Sequence, residues 1–369
     1  MSTAKQRVRA VARNVVERGD ATLNRVTSHL GVTRRLYPAF GRKFDSELEA
    51  LAAGRIAFER NAADGNAAYR LRRNVHRLEK GLAHHDRRAQ FALDYIDLTV
   101  ADFDDAVDRG TDRSATEWAR AVLTQYFDVV RPADERTATQ LGTLEKAFRS
   151  SCDRLDAHRA ASDEPSRAAT ALEGVYAPYR HEDHRARALG IDALRTLAVQ
   201  RRSVRTFDGN PVPDGVLRAA VQVASEAPSA CNRLPYRYEF STDPDRNTAL
   251  LKLPIGAGNF SAVPVVGVLI GDFSAYSSPR DRHVPYIDGG LTMMLFTLAI
   301  EAQGLSSCVI NWPELRRREL AARTLLGLPA HERPICFVAI GHASCDAVVP
   351  ASVKKHVDQL HRVITAGDA

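Results

Sequence analysis

Apolar positions recur every three or four residues through the first half of the chain, while apolar runs with a strand's texture occur only in the second half. The helical spacing predicts amphipathic helices over residues 5–18, 46–60, 68–82, 88–109, 114–128, 134–161 and 165–176. Gly19-Asp20, Asp64-Gly65-Asn66, Gly110-Thr111 and Arg131-Pro132 break the pattern between them. Past residue 190 the texture changes. Strands are predicted over 236–241, 263–271 and 335–341, and helices over 191–201, 214–227, 288–303 and 316–326. Strands interleaved with helices and closing on a strand imply an α+β unit around a central sheet, preceded by an all-helical region. The boundary falls between Tyr179 and Gly190, giving a helical extension over 1–185 and an α+β domain over 186–369.

Composition changes this picture little. Of the 369 residues, 44% are hydrophobic and 26% charged, an ordinary globular balance. The apolar stretches 262–270 and 291–300 are too short to cross a bilayer, which needs roughly 20 residues. The first residues, Met1-Ser-Thr-Ala-Lys-Gln-Arg, lack the apolar centre of a secretion signal, so a soluble cytoplasmic protein is expected. The five cysteines form no CxxC pair and have no histidine at ligand spacing, so no metal site is signalled.

The net charge of +6 is carried by 44 Arg against 7 Lys. It is spread along both halves, unlike the concentrated basic face of a nucleic-acid protein. One segment bears on that question. Residues 22–45, with Gly31 at a turn and Arg34 and Arg35 after it, have the outline of a helix-turn-helix. A plain pair of helices capped by glycine explains the same residues.

Four segments carry candidate chemistry. The first, Arg201-Arg202-Ser203-Val204-Arg205-Thr206-Phe207, puts three guanidiniums and a hydroxyl within five residues, a donor set suited to phosphate. In the second, Ala227-Pro228-Ser229-Ala230-Cys231-Asn232-Arg233-Leu234-Pro235-Tyr236, small residues and a few polar groups at a turn would let a flat ring approach. The third begins with Asp288, a candidate cap for an apolar helix stopped by Gly304, and continues through Cys308 into a loop at Ile310 and Asn311. The fourth is a strand ending Ala339-Ile340-Gly341-His342, followed by the basic pair Lys354-Lys355. Each has a plain structural reading taken singly: a solvated basic turn, a helix–strand connection, a core helix, a basic tail.

In this order over about 170 residues, the four segments resemble the nitroreductase family of flavoproteins. The resemblance implies a nitroreductase-like fold with a central mixed or antiparallel sheet, FMN as cofactor, and NADH or NADPH as electron donor. It also implies a homodimer with FMN in the interface. By the same resemblance, Arg201, Arg202, Ser203 and Arg205 would hold the FMN phosphate and ribityl chain or the ring edge. Pro228, Ser229 and Asn232 would contact the flavin from a second turn. Ile310 and Asn311 would run beside its N5, and Gly341 with Lys354 or Lys355 would return to the phosphate. The sequence departs from the family at Leu234, often Gln, at Tyr236, often Trp, and at the loop containing Trp312, often Gly-rich.

Residues 69–82, with 281–288 and 307–313, further resemble a bacterial subgroup that carries a long helical extension and accompanies polysaccharide-associated genes. Arg73, His76, Arg77 and Lys80 share one side of the 69–82 helix, a face suited to an acidic substrate, a partner chain or solvent. The expected activity is hydride transfer from NAD(P)H through flavin N5 to an electron-poor small-molecule acceptor. No catalytic residue is assigned, although Tyr236 and His283 are candidates for a proton donor. A flavin-binding or interaction protein without turnover, and a DNA-binding regulator acting through residues 22–45, are the alternatives.

Overall fold

The computed structural model describes residues 44–64, 67–110, 112–161, 175–184, 190–258 and 260–365. The helices expected over 5–18 and most of 165–176, the helix-turn-helix segment up to residue 43, and the domain boundary at 185–186 lie outside them. Five helices open the described chain: α1 (Asp45–Ala63), α2 (Ala68–Ala83), α3 (Ile96–Arg109), α4 (Arg113–Val129) and α5 (Glu135–Ala160). Helix α3 is shorter than the periodicity predicted. Residues 88–95 form an irregular stretch in which Ala92 has a left-handed backbone, and the helix starts only at Ile96. Asp112 and Asp134 cap α4 and α5, accepting from the backbone N–H groups of Ala115 and Thr137.

Helices α2 to α5 enclose a core built on Leu71, Leu78, Phe103, Leu123, Tyr126 and Phe148. Helix α1 goes elsewhere, packing on residues 273–275. Gly54 makes that approach possible, since a Cβ there would stand 2.6 Å from the carbonyl oxygen of Phe273. Backbone cannot swing aside as a flexible side chain can. Gly54→Ala is therefore expected to cost about 1–3 kcal/mol of stability in a denaturant melt, the usual cost of overpacking. An unchanged midpoint would show that α1 is not held there.

The second half contains α6 (Ile191–Gln200), α7 (Asp214–Ala224), β1 (Tyr236–Ser241), α8 (Pro244–Leu251), β2 (Val265–Asp272), α9 (Val284–Ala302), β3 (Ser306–Asn311), α10 (Arg316–Leu326) and β4 (Glu332–Gly341). The four strands form one sheet in the order β1-β2-β4-β3, every neighbouring pair antiparallel. Of the expected alternatives, mixed or antiparallel, the described sheet is antiparallel.

Helices α7 and α9 cover one face, where Leu217, Ala220, Phe296 and Ile300 meet Val265, Val338 and Ile340. On the other face Leu250 and Ala322, from α8 and α10, meet Val266, Ile270 and Phe337. Coverage on both faces explains why β2 and β4 are almost continuously apolar rather than alternating.

Two sequence expectations need correction. Ile310 and Asn311 belong to strand β3, paired with Phe337 and Cys336, and not to a loop. Asp288 does not cap α9, because the helix begins at Val284 after His283 and Asp288 lies one turn inside it. Among the described helices, none is long and apolar enough to cross a membrane.

Candidate functional site

The arginine-rich segment after α6 is stitched by its backbone to the sheet. The N–H of Val204 donates to the carbonyl of Ser307 at the start of β3 (3.2 Å). The N–H of Phe207 reaches Ser261, and that of Asp208 reaches His342, just past β4. These bonds bring residues 201–205 together with Ser307, Cys308 and Gly341. A Cβ on Gly341 would lie 2.7 Å from the Pro264 ring and 3.0 Å from the Phe207 ring, so only glycine allows the segment to pass here. Arg201, Arg202 and Arg205 form no ion pair among the described residues. Their bonds go to nearby carbonyls: Arg202 to Arg201 (3.0 Å) and Arg205 to Ser203 (3.2 Å). Glu301, near the end of α9, faces Arg201 and Arg202. Burial raises its carboxyl above the ordinary value although the two cations oppose this. Burial likewise raises the Cys308 thiol, against the opposing pull of Arg205.

The second turn lies at the other end of α9. Cys231, Asn232 and Leu234 all have positive φ (58°, 49° and 51°), a conformation costly for residues other than glycine. The turn is held on three sides. The Oδ2 of Asp288 accepts from the N–H of Ala230 (3.0 Å), and the Oγ of Ser229 accepts from the N–H of Leu234 (3.1 Å). From the helical region, Arg72 donates to the carbonyl of Asn232 (3.3 Å) while pairing with Asp112 (2.8 Å). Asp288 and Arg72 are residues whose part in the turn sequence reasoning missed. Their only signals were an acidic residue near a helix start and an arginine in the 69–82 segment.

Burial holds the Asp288 carboxyl above its ordinary value, although the Ala230 N–H and Arg233 favour the anion. A carboxyl raised in this way binds its proton more tightly folded than unfolded, so its contribution to stability falls as pH rises past the carboxylate range. Asp288→Asn keeps an oxygen acceptor for Ala230 and removes the charge. It is expected to raise the melting temperature slightly at pH 8 and hardly at pH 4. The same change at both pH values would contradict the assignment.

Asp288, which touches the second turn, and Glu301, which faces the arginines, are separated by 13 helical residues, or about 20 Å along α9. The two segments are thus attached near opposite ends of α9. Lys354 and Lys355 are exposed after β4 and form no ion pair among the described residues. Ile310 points into the core against Trp312 and Phe337, and Asn311 is exposed. The hydroxyl of Tyr236 is buried with no hydrogen-bond partner among the described residues, and burial raises its pKa, while His283 is exposed at the start of α9. A cavity of 420 Å³ lined by Pro211, Asn247, Thr248 and Phe260 contains none of the motif residues.

The sequence model of the Nitroreductase family matches residues 198–257 and 251–342, a span that holds both segments and the whole sheet. An NADH dehydrogenase of Thermus thermophilus is 30% identical over 183 residues, 41% of this chain and 87% of that protein. Iodotyrosine deiodinase 1 of Mus musculus is 24% identical over 190 residues, 44% of this chain and 66% of its own length. A nitroreductase-like protein of Streptococcus mutans superposes on 48% of this chain and all of its own, with 21% identity and a TM-score of 0.42. With the T. thermophilus relative matched over most of its length and the family pattern spanning the sheet, this chain belongs to the nitroreductase family, a family of flavin-dependent oxidoreductases.

Proposed function

We propose that the chain is an FMN-dependent oxidoreductase that takes hydride from NADH or NADPH and delivers it to an electron-poor organic acceptor. The observation that carries this reading is the run of guanidiniums on Arg201, Arg202 and Arg205 beside β3 and Gly341, which form no ion pair among the described residues although Glu301 faces two of them. A phosphate monoester is the ligand such a forked cationic set fits. Arg201, Arg202, Ser203 and Arg205 would hold the phosphate, and Pro228, Ser229 and Asn232 would border the ring. Hydride acceptance and donation is the chemistry a bound flavin supplies. The chain's part is to orient the ligand, exclude water and, at the hydroxyl of Tyr236, keep a proton in place. Ile310 and Asn311 would contribute through the β3 backbone, and Lys354 and Lys355 through the tail.

The reading includes a homodimer. The separation of the two segments along α9 is what a pocket shared between two chains requires. The outer side of α9 supports the same reading, with Ile287 (58% exposed), Leu291 and Met294 in solvent, as does α6, with Ile191 (75%) and Leu194 exposed. Apolar faces of that size seldom stay uncovered. Sedimentation of the purified protein tests this part: a dimer that dissociates on Met294→Glu with loss of bound FMN is expected. A monomer that binds FMN tightly would refute it.

One alternative rests on residues outside the described ones. The segment 22–45 that outlined a DNA-binding element lies almost wholly beyond the described residues, and no observation among the described residues favours it.

A further inference from the structure

Helix α2 is seated on the turn at 230–232 and sends one more arginine toward it than its anchoring needs. Arg72 is consumed by Asp112 and the carbonyl of Asn232. Arg73, its neighbour, is half-buried and forms no hydrogen bond or ion pair among the described residues. It faces Arg77, Arg233 and Arg280, and burial together with these like charges lowers its pKa. Arg233 belongs to the turn itself. It is 7% exposed, its guanidinium lies 4.8 Å from the centre of the Tyr276 ring, and its buried Nε has no hydrogen-bond partner among the described residues. Arg77 is steadied by the Tyr95 ring at 3.6 Å and touches the exposed Asp94 at 3.4 Å.

The four cations outnumber the acidic groups nearby. Asp281 lies 3.6 Å from Arg280, the exposed Asp94 touches Arg77, and Asp288, which Arg233 faces, also accepts from the N–H of Ala230. Neither Arg73 nor Arg233 has an ion-pair partner among the described residues. Burying a guanidinium without a counter-charge is costly, and like charges side by side add to the cost, so a site of this kind is stabilised by an anion.

We propose that Arg73 and Arg233, supported by Arg77 and Arg280, form a binding site for the anionic group of the acceptor, a carboxylate or a phosphate. The site joins the helical extension to the turn that the proposed function places beside the flavin, and its position relative to a reacting ring rests on that reading. The charge itself does not. The extension thereby acquires a purpose: it completes an anion pocket that residues 190–365 alone would leave half-built. Direct, forked contacts from two arginines favour a planar carboxylate or a phosphate over a spherical halide.

The test uses the full-length protein as purified. Binding of benzoate, and separately of inorganic phosphate, is measured by calorimetry at low ionic strength for the wild type, Arg73→Gln and Arg233→Lys. The expected result is saturable binding of one of the two anions, weakened at least tenfold by Arg73→Gln. Whichever anion binds identifies the source chemistry. In parallel, the ratio of KM for 4-nitrobenzoate to KM for the neutral 4-nitrobenzamide should rise at least tenfold in Arg73→Gln. No binding of either anion to the wild type would overturn the site. So would equal affinity in Arg73→Gln and wild type. Loss of bound flavin from Arg73→Gln would also overturn it, by moving the cluster to the cofactor. A wild type that binds benzoate but holds no flavin would refute the flavin reading and leave the anion site standing.

Discussion

Replacing Arg201 and Arg205 together by Ala is expected to weaken FMN binding by a factor of about a hundred or more. A charge-assisted hydrogen bond contributes about 1.5–3 kcal/mol, and two are removed. The fold should tolerate the change, because both side chains are only half-buried and bond no residue outside their own segment except through backbone. Quenching of flavin fluorescence on titration gives the dissociation constant directly. Lys354→Ala with Lys355→Ala provides a scale: these exposed tail residues form no ion pair among the described residues, so a smaller loss is expected from them. An unchanged constant in the arginine double variant would mean that the phosphate is held elsewhere.

The second large effect is on stability. Glu319 of α10 accepts from the indole N–H of Trp312 (2.5 Å) and from Arg333 of β4 (2.7 Å), and Arg333 also donates to the hydroxyl of Tyr286 (2.9 Å). Glu319 is 3% and Arg333 2% exposed. The network therefore ties α10, β4, the chain after β3 and the start of α9 around a buried charge pair. Glu319→Ala leaves the buried guanidinium with only the half-exposed Glu314, 3.4 Å away, and is expected to cost about 3 kcal/mol. Glu319→Leu combined with Arg333→Met removes both charges and should recover much of that loss. Chemical denaturation measures all three proteins. A single variant losing under about 1 kcal/mol would show that water reaches the pair after all.

Much of the architecture was legible because periodicity was strong where both faces of an element were committed. The strand 236–241 and the helix 316–326 coincide with β1 and α10. Strand β3 was not legible. It is an edge strand of mostly polar composition, Ser306-Ser-Cys-Val-Ile-Asn, with Val309 turned outward, so neither an apolar run nor clean alternation marked it. Asp288 suggested a cap because an acidic residue preceded an apolar run. The structure puts Pro285 in the first turn of α9, and the carboxylate serves the turn at Ala230 across 58 residues of sequence. Long-range bonds of that kind leave no local periodicity. Helix α8 also passed unnoticed, being only eight residues long.

The candidate site was readable as separate motifs and unreadable as an arrangement. Nothing in the spacing of Arg201–Arg205 and Ser229–Asn232 says that they meet opposite ends of α9. Nor does it say that α2 sits on the second turn and clamps Asn232 through Arg72. The exposed apolar side of α9 was equally hidden, since a helix apolar all round reads as a core helix.

The visible absorption spectrum of the purified protein, recorded before and after anaerobic addition of NADH or NADPH, tests the central claim most directly. The account predicts a yellow protein whose flavin bands bleach on addition of one of these donors. A colourless protein that takes up no added FMN, or a bound flavin that neither nicotinamide reduces, would contradict it.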